Sequence, residues 1–210
     1  MRPNLDCQTV ARLIVQRDPV FRPLVRTLGP PPRVRRVPVD DRFATLIRSI
    51  SFQLLATSAA TTIHRRVLET LGGRPSPESL LATDVDLLRG AGLSRTKAQA
   101  MIDLARHVTD GRIRLERHGR MDDAAVITEL TAVRGIGPWT AQMYLMFTLA
   151  RADVWPTGDF GVRSGWSRLH ELDELISERG LREAGTPFTG FRSAVAHYCW
   201  ALVDGSTEDQ

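Results

Sequence analysis

The stretch Leu130-Thr131-Ala132-Val133-Arg134-Gly135-Ile136-Gly137-Pro138-Trp139-Thr140-Ala141 is where the fold of this chain is decided. Apolar residues at helical spacing run up to Val133, and a proline then opens a second apolar run. Pro138 at the first position of a helix costs nothing, because the amide it lacks would have no partner inside that helix. Between the helices, Gly135 and Gly137 permit backbone conformations closed to other residues and let a ligand approach the main chain. Ile136 between them can tuck inward. The second helix then offers its first amides and the positive end of its dipole to an anion such as a DNA phosphate. The same letters also serve an ordinary tight turn between helices, and spacing alone does not separate the two readings.

Outward from this hairpin the chain continues in helical periodicity. Asp6 is placed to cap a first helix through Arg17, and Asp18-Pro19 opens a short one to Leu28, ended by Gly29-Pro30-Pro31-Pro32. Asp40 or Asp41 is placed to cap Arg42 to about Phe52. Thr57–Leu71 is stopped by Gly72-Gly73. Ser76-Pro77-Glu78 starts a helix to Ala82, Asp84 one to Arg89, and Ser94 or Arg95 one to about Gly111. Asp122 caps Asp123–Val133, and Trp139–Ala150 follows. The last third reads as Phe160–His170, Glu171–Gly180 and Phe191–Val203, with Gly-Ser-Thr-Glu-Asp-Gln expected to fray. Only Arg33–Val39 alternates like a strand, and its prolines make it an extended linker. The expected class is all-α.

Bulk properties narrow the function. With 210 residues, 42% of them hydrophobic, the chain can bury a core in one or two small domains. Its 28 Lys and Arg against 24 Asp and Glu give +4, a balance that suits a polyanion partner without requiring one. Lys97 is the only lysine, so any Schiff-base chemistry has one candidate. Cys7 and Cys199 stand far apart and cannot form a four-thiolate iron–sulfur or zinc site alone. The five histidines, His64, His107, His118, His170 and His197, show no metal-ligand spacing. No apolar run reaches the length of a membrane span, and Met1–Asp6 carries no signal-like apolar stretch. A reducing cytoplasm is the expected setting.

Downstream of the hairpin lies Thr157-Gly158-Asp159-Phe160-Gly161, which sets one carboxylate at the mouth of the next helix. Helix capping explains such an aspartate by itself. A wider resemblance adds a second reading. Leu130–Ala141 resembles the helix-hairpin-helix of the DNA glycosylase superfamily that carries a Gly/Pro-rich loop and a catalytic aspartate. Asp153-Val154-Trp155-Pro156-Thr157-Gly158-Asp159-Phe160-Gly161-Val162-Arg163 resembles its Gly/Pro–Asp element. Gln53–Ala60, Gly92–Ala98 and Phe191–Ala194 with Trp200 are similar to further blocks of the 3-methyladenine DNA glycosylase II branch, AlkA-like. The likeness spans about 37–205. Two departures bear on substrate choice: many relatives have paired glutamines where this chain has Gln53-Leu54, and some carry an additional N-terminal β-rich domain.

The resemblance implies two helical subdomains with a DNA-binding cleft between them. One spans 39–156 with the helix-hairpin-helix at about 123–150; the other is formed by 1–38 and 157–210. It makes Asp159 the catalytic acid and Leu54, with Gln53 beside it, the side chains that intercalate into DNA. Trp139, Trp200, Phe160 and Met143 become walls of the base pocket. Arg134, Gly135, Gly137 and Thr140 become the phosphate grip, with Arg95 and Arg163 as further candidates. Trp155 and Trp166 fall to core packing, and Asp153 to holding a loop or pairing with Arg151. No metal and no cofactor are implied, although hairpin carbonyls in relatives can hold a monovalent cation. The expected partner is double-stranded DNA containing alkylated bases, met by a monomer.

Relatives that also nick the strand place a lysine two residues past the second hairpin glycine, where this chain has Trp139. The expected activity is therefore monofunctional excision of 3-methyladenine, with 7-methylguanine or ethenoadenine as further substrates. The alternative is a non-catalytic hairpin protein that binds damaged or bent DNA. A glycosylase/lyase for oxidised bases is disfavoured by the single lysine.

Overall fold

The structure, a computed structural model, describes residues 5–55 and 57–204; the C-terminal Gly-Ser-Thr-Glu-Asp-Gln lies outside the described residues. Among the described residues every regular element is helical: α1 Cys7–Arg17, α2 Arg22–Leu28, α3 Arg42–Phe52, α4 Thr57–Thr70, α5 Pro77–Leu81, α6 Val85–Gly90, α7 Arg95–Thr109, α8 Asp123–Thr131, α9 Pro138–Met143, α10 Phe160–Leu169, α11 Glu178–Ala184 and α12 Arg192–Asp204. Short 3₁₀ turns at Pro19–Phe21, Val39–Asp41 and Thr186–Phe188 connect some of them.

Local chemistry sets most of these boundaries. Asp6, Asp84, Ser94, Asp122, Asp159 and Ser177 each accept a first-turn amide with the side chain, and Ser76 and Ser79 cap each other's backbone reciprocally. Three expectations need correction. Neither Asp40 nor Asp41 caps α3 with its side chain; both sit in the Val39–Asp41 turn, and the Asp41 carboxylate pairs with Arg74 at 2.8 Å. The helix expected over Glu171–Gly180 is displaced to Glu178–Ala184. Glu171, at φ 51°, reverses the chain after α10, the Ser167 hydroxyl takes the Ile176 amide, and Ser177 supplies the next cap. The continuous helix expected over Trp139–Ala150 widens into a π-helical turn at Tyr144–Thr148, where it ends, and Ala150 beyond it adopts φ 54°.

The chain divides into two compact units, Met1–Val34 with Arg151–Gln210, and Arg35–Ala150. These borders lie a few residues ahead of those read from the sequence, for a hydrogen-bonding reason. The Val37 amide and the Arg36 side chain donate to the Thr148 and Leu149 carbonyls, tying the linker to the end of the π turn. On the other side Ser193 binds the backbone of Arg151, Ala152 and Val154, so 151–156 belongs with α12.

The unit formed by both termini is built on aromatic packing. Phe21 lies 5.9 Å from Trp166 and 5.8 Å from Phe188, ring to ring, and Trp155 meets Trp166 edge-on. The other unit has an aliphatic core around Leu46, Ile47, Ile50, Leu88, Met101 and Leu104, all fully buried. Each such side chain contributes about 1.5–3 kcal/mol on leaving water.

Candidate functional site

In the Arg35–Ala150 unit the hairpin Arg134–Gly137 joins α8 to α9. Gly135 is at φ 88°, and a Cβ there would stand 2.8 Å from the Ala100 Cβ, so only glycine lets the loop lie on α7. Ile136 is turned inward, as its alternation between glycines suggests. Arg134, Gly135 and Gly137 are exposed, and Gly137 precedes Pro138 at the start of α9, with open space where a Cβ would stand. The Thr140 side chain is buried, and its hydroxyl accepts the Gln53 amide at 2.9 Å.

The turn after α3 carries the two intercalation candidates, and the structure separates them. Leu54 is left-handed at φ 54° and 102% exposed, an apolar side chain with no shelter. Gln53 instead reaches back into the protein, donating to the Gly135 carbonyl at 3.1 Å as well as to Thr140. Gln53 therefore ties this turn to the hairpin. The Lys97 ammonium donates to the Ser51 and Gln53 carbonyls at 3.0 and 2.6 Å, closing the C-terminal end of α3. Burial draws the Lys97 pKa below its ordinary value.

In the other unit Asp159 is buried at the N-cap of α10. One carboxylate oxygen, Oδ1, accepts the Val162 amide at 2.8 Å and the Trp200 indole N–H at 2.8 Å. Capping and chemistry are thus compatible at this residue. Gly161 makes room for the arrangement: a Cβ there would approach Trp200 Cδ1 to 2.8 Å and Asp159 Oδ1 to 3.2 Å. Cys199, beside Trp200 on α12, has its thiol pKa pushed up by burial and further by the Asp159 charge, which keeps it protonated and inert. Phe160, next to Asp159, is 69% exposed.

Of the four expected pocket residues, Trp200 and Phe160 share a unit with Asp159, whereas Trp139 and Met143 lie on α9. Trp139 is 40% exposed and Met143 is buried. Arg95 is exposed at the start of α7. Arg163 donates through Nε to the Ile176 carbonyl at 2.7 Å, a structural use of that group. Asp153 holds its loop by accepting from Arg192 Nε at 2.6 Å. Lys97, Ala100 and Asp103 on α7 support the hairpin and the turn after α3, a role that their letters do not reveal. The Asp103 carboxylate takes the Arg134 amide at 2.9 Å. Their three-residue spacing was visible, but nothing in the letters says which loops α7 supports.

A family model described as HhH-GPD superfamily base excision DNA repair protein matches residues 47–187. The chain is 30% identical over 186 residues to DNA-3-methyladenine glycosylase 1 of Schizosaccharomyces pombe, covering 87% of this chain and 82% of that relative. To the DNA-3-methyladenine glycosylase of Saccharomyces cerevisiae it is 31% identical over 221 residues, covering 96% and 71%. Among solved structures, Schizosaccharomyces pombe 3-methyladenine DNA glycosylase (Mag1) in complex with abasic DNA matches with a TM-score of 0.84 and 29% identity, over 91% of this chain and 95% of that one.

Proposed function

Because the chain belongs to the HhH-GPD superfamily of base excision DNA repair proteins, we propose that it hydrolyses the N-glycosidic bond of alkylated purines in double-stranded DNA, the first step of base excision repair. The substrates are 3-methyladenine and, with it, 7-methylguanine or ethenoadenine. The observation that carries this reading is the buried Asp159 carboxylate held by Trp200 and the α10 amide. Its relatives named as 3-methyladenine glycosylases support the substrate class.

When the bond between C1′ and the base nitrogen breaks, its electron pair leaves with the base and positive charge builds on the sugar. A carboxylate held out of water stabilises that charge and orients the attacking water or takes its proton; such base assistance is typically worth about 10²–10⁴-fold. 3-Methyladenine and 7-methylguanine are already cationic in the strand and depart as neutral bases, so a single acid suffices for them; ethenoadenine is neutral and must take up a proton from solvent as it leaves. Leu54 fills the gap left by the extracted base. An aromatic ring stacked on the cationic base adds about 0.5–2 kcal/mol that an undamaged base does not provide.

The enzyme is of the AlkA-like type II and leaves an intact abasic strand. Trp139 stands at the position of the lyase lysine, and Lys97, the only lysine, has its ammonium on two backbone carbonyls. Water is the nucleophile, so the chemistry calls for no cofactor. A monovalent cation, where one binds, would be held by backbone carbonyls of the hairpin. The protein acts as a monomer in the cytoplasm, with the DNA. The test is a duplex containing one alkylated purine, treated with enzyme and then with or without alkali. Scission only after alkali is expected. Scission without alkali overturns the monofunctional assignment, and no scission under either condition leaves a protein that only binds.

A further inference from the structure

We infer that Lys97 is a positioning residue that presets the turn carrying Leu54, and that α7 holds this turn and the hairpin in fixed register before DNA arrives. The inference rests on the reading of Leu54 as the intercalating side chain. Its physical starting point is that no described residue shelters the Leu54 side chain, which is 102% exposed on a backbone at φ 54°. A non-glycine residue avoids that region unless its surroundings impose it. What imposes it here is backbone anchoring on the residues just before it.

The Lys97 ammonium sits on the Ser51 and Gln53 carbonyls, at the end of α3 where carbonyls lack helical partners and a cation complements the helix dipole. Three rotatable donors on one compact cation suit two converging carbonyls. The Gln53 side chain then ties the same turn to the Gly135 carbonyl and the Thr140 hydroxyl. The hairpin, in turn, is held by the next positions along α7: Ala100 packs under Gly135, and the Asp103 carboxylate takes the Arg134 amide. Lys97, Ala100 and Asp103 are spaced three apart and so fall along one stripe of the helix. One stripe therefore supports both loops assigned to DNA, with Gln53 as the cross-brace. A turn ordered in advance does not draw on the binding energy needed to unstack a base.

The test compares single-turnover excision of one alkylated purine paired in a duplex with excision of the same lesion opposite an abasic analogue, where pairing no longer opposes extraction. The variants are Leu54→Ala, Lys97→Met and Lys97→Arg. Loss of two hydrogen bonds from a charged group predicts that Lys97→Met slows the paired substrate about tenfold or more, and the unpaired one by less than about threefold. Lys97→Arg, which keeps charge and donors, should restore most of the rate. Because both substrates meet the same preparation, the ratio of their rates does not depend on the fraction of each variant that is folded. Equal losses on both substrates would reduce Lys97 to a purely structural role and overturn the inference. A selective loss in Leu54→Ala with none in Lys97→Met would overturn the clamp while leaving the wedge. No selective loss in Leu54→Ala would overturn the wedge reading, and the clamp with it.

Discussion

At Asp159 one oxygen receives both the Val162 amide and the Trp200 indole, so the helix cap also fixes the direction of the carboxylate. The indole bond comes from a residue distant in sequence, and it exists because α12 lays Trp200 against the first turn of α10. Trp200→Phe removes that donor and keeps an aromatic ring. It should lower single-turnover excision by about tenfold, the size expected for a hydrogen bond to a charged group. Duplex affinity and melting temperature should change little. An unchanged excision rate would show that the indole bond does not orient the acid. At this scale the sequence displayed the aspartate and the tryptophan, and the resemblance assigned them roles. Their mutual bond depends on how two helices pack, which no local pattern encodes. Leu54 makes a second case. The resemblance assigns Leu54 to intercalation, and the structure adds that it stands in solvent on a left-handed backbone, which no local pattern encodes.

Helices α10 and α12 owe their close approach to Gly165, where a methyl group would overlap the Cys199 carbonyl of α12. Backbone cannot move aside as a flexible side chain can, so Gly165→Ala must part the helices. The expected cost is about 3 kcal/mol, at the upper end of overpacking effects, measured by urea unfolding. A loss below about 0.5 kcal/mol, the range of an ordinary surface substitution, would show that the contact yields easily. Most elements were legible because side-chain caps mark them: Asp6, Ser76, Asp84, Asp122 and Asp159 all begin helices where their chemistry predicts. The misplaced α11 and the π turn were not legible. The first hinges on Glu171 adopting a left-handed conformation, the second on an extra residue accommodated around Tyr144, and both follow from tertiary packing.

On the scale of the whole molecule, three partly or fully buried histidines couple stability to pH. Burial is the main reason that His64, His118 and His197 all titrate below their ordinary 6.5. His118 is the most enclosed, with Tyr144 Oη at 3.1 Å and Glu129 Oε2 at 3.0 Å on its two ring nitrogens. The folded state therefore prefers these rings neutral. As pH falls below about 6.5 the unfolded chain takes up protons first, so stability declines; above that pH both states are neutral and the contribution is constant. Melting temperature should be level above about pH 7 and fall from about pH 6.5 downward, and His118→Asn should flatten part of that slope. A melting temperature level down to pH 5 would contradict this. The division into two units followed from the resemblance and not from composition, since no linker-like break marks Ala150. Its borders are set by the bonds of Val37 and Ser193.

Asp159 is the group proposed to perform the chemistry, and Asp159→Asn removes its charge alone. Asparagine is an equally good helix cap, and its oxygen can still accept from Val162 and Trp200, so the substitution removes charge while sparing the fold. The measurement is release of free 3-methyladenine from a single-lesion duplex under single-turnover conditions, at enzyme concentrations that saturate the DNA for both proteins. Expected is a loss of about 10²–10⁴-fold in the rate of release with duplex binding retained. Release by Asp159→Asn at the wild-type rate would contradict the assignment.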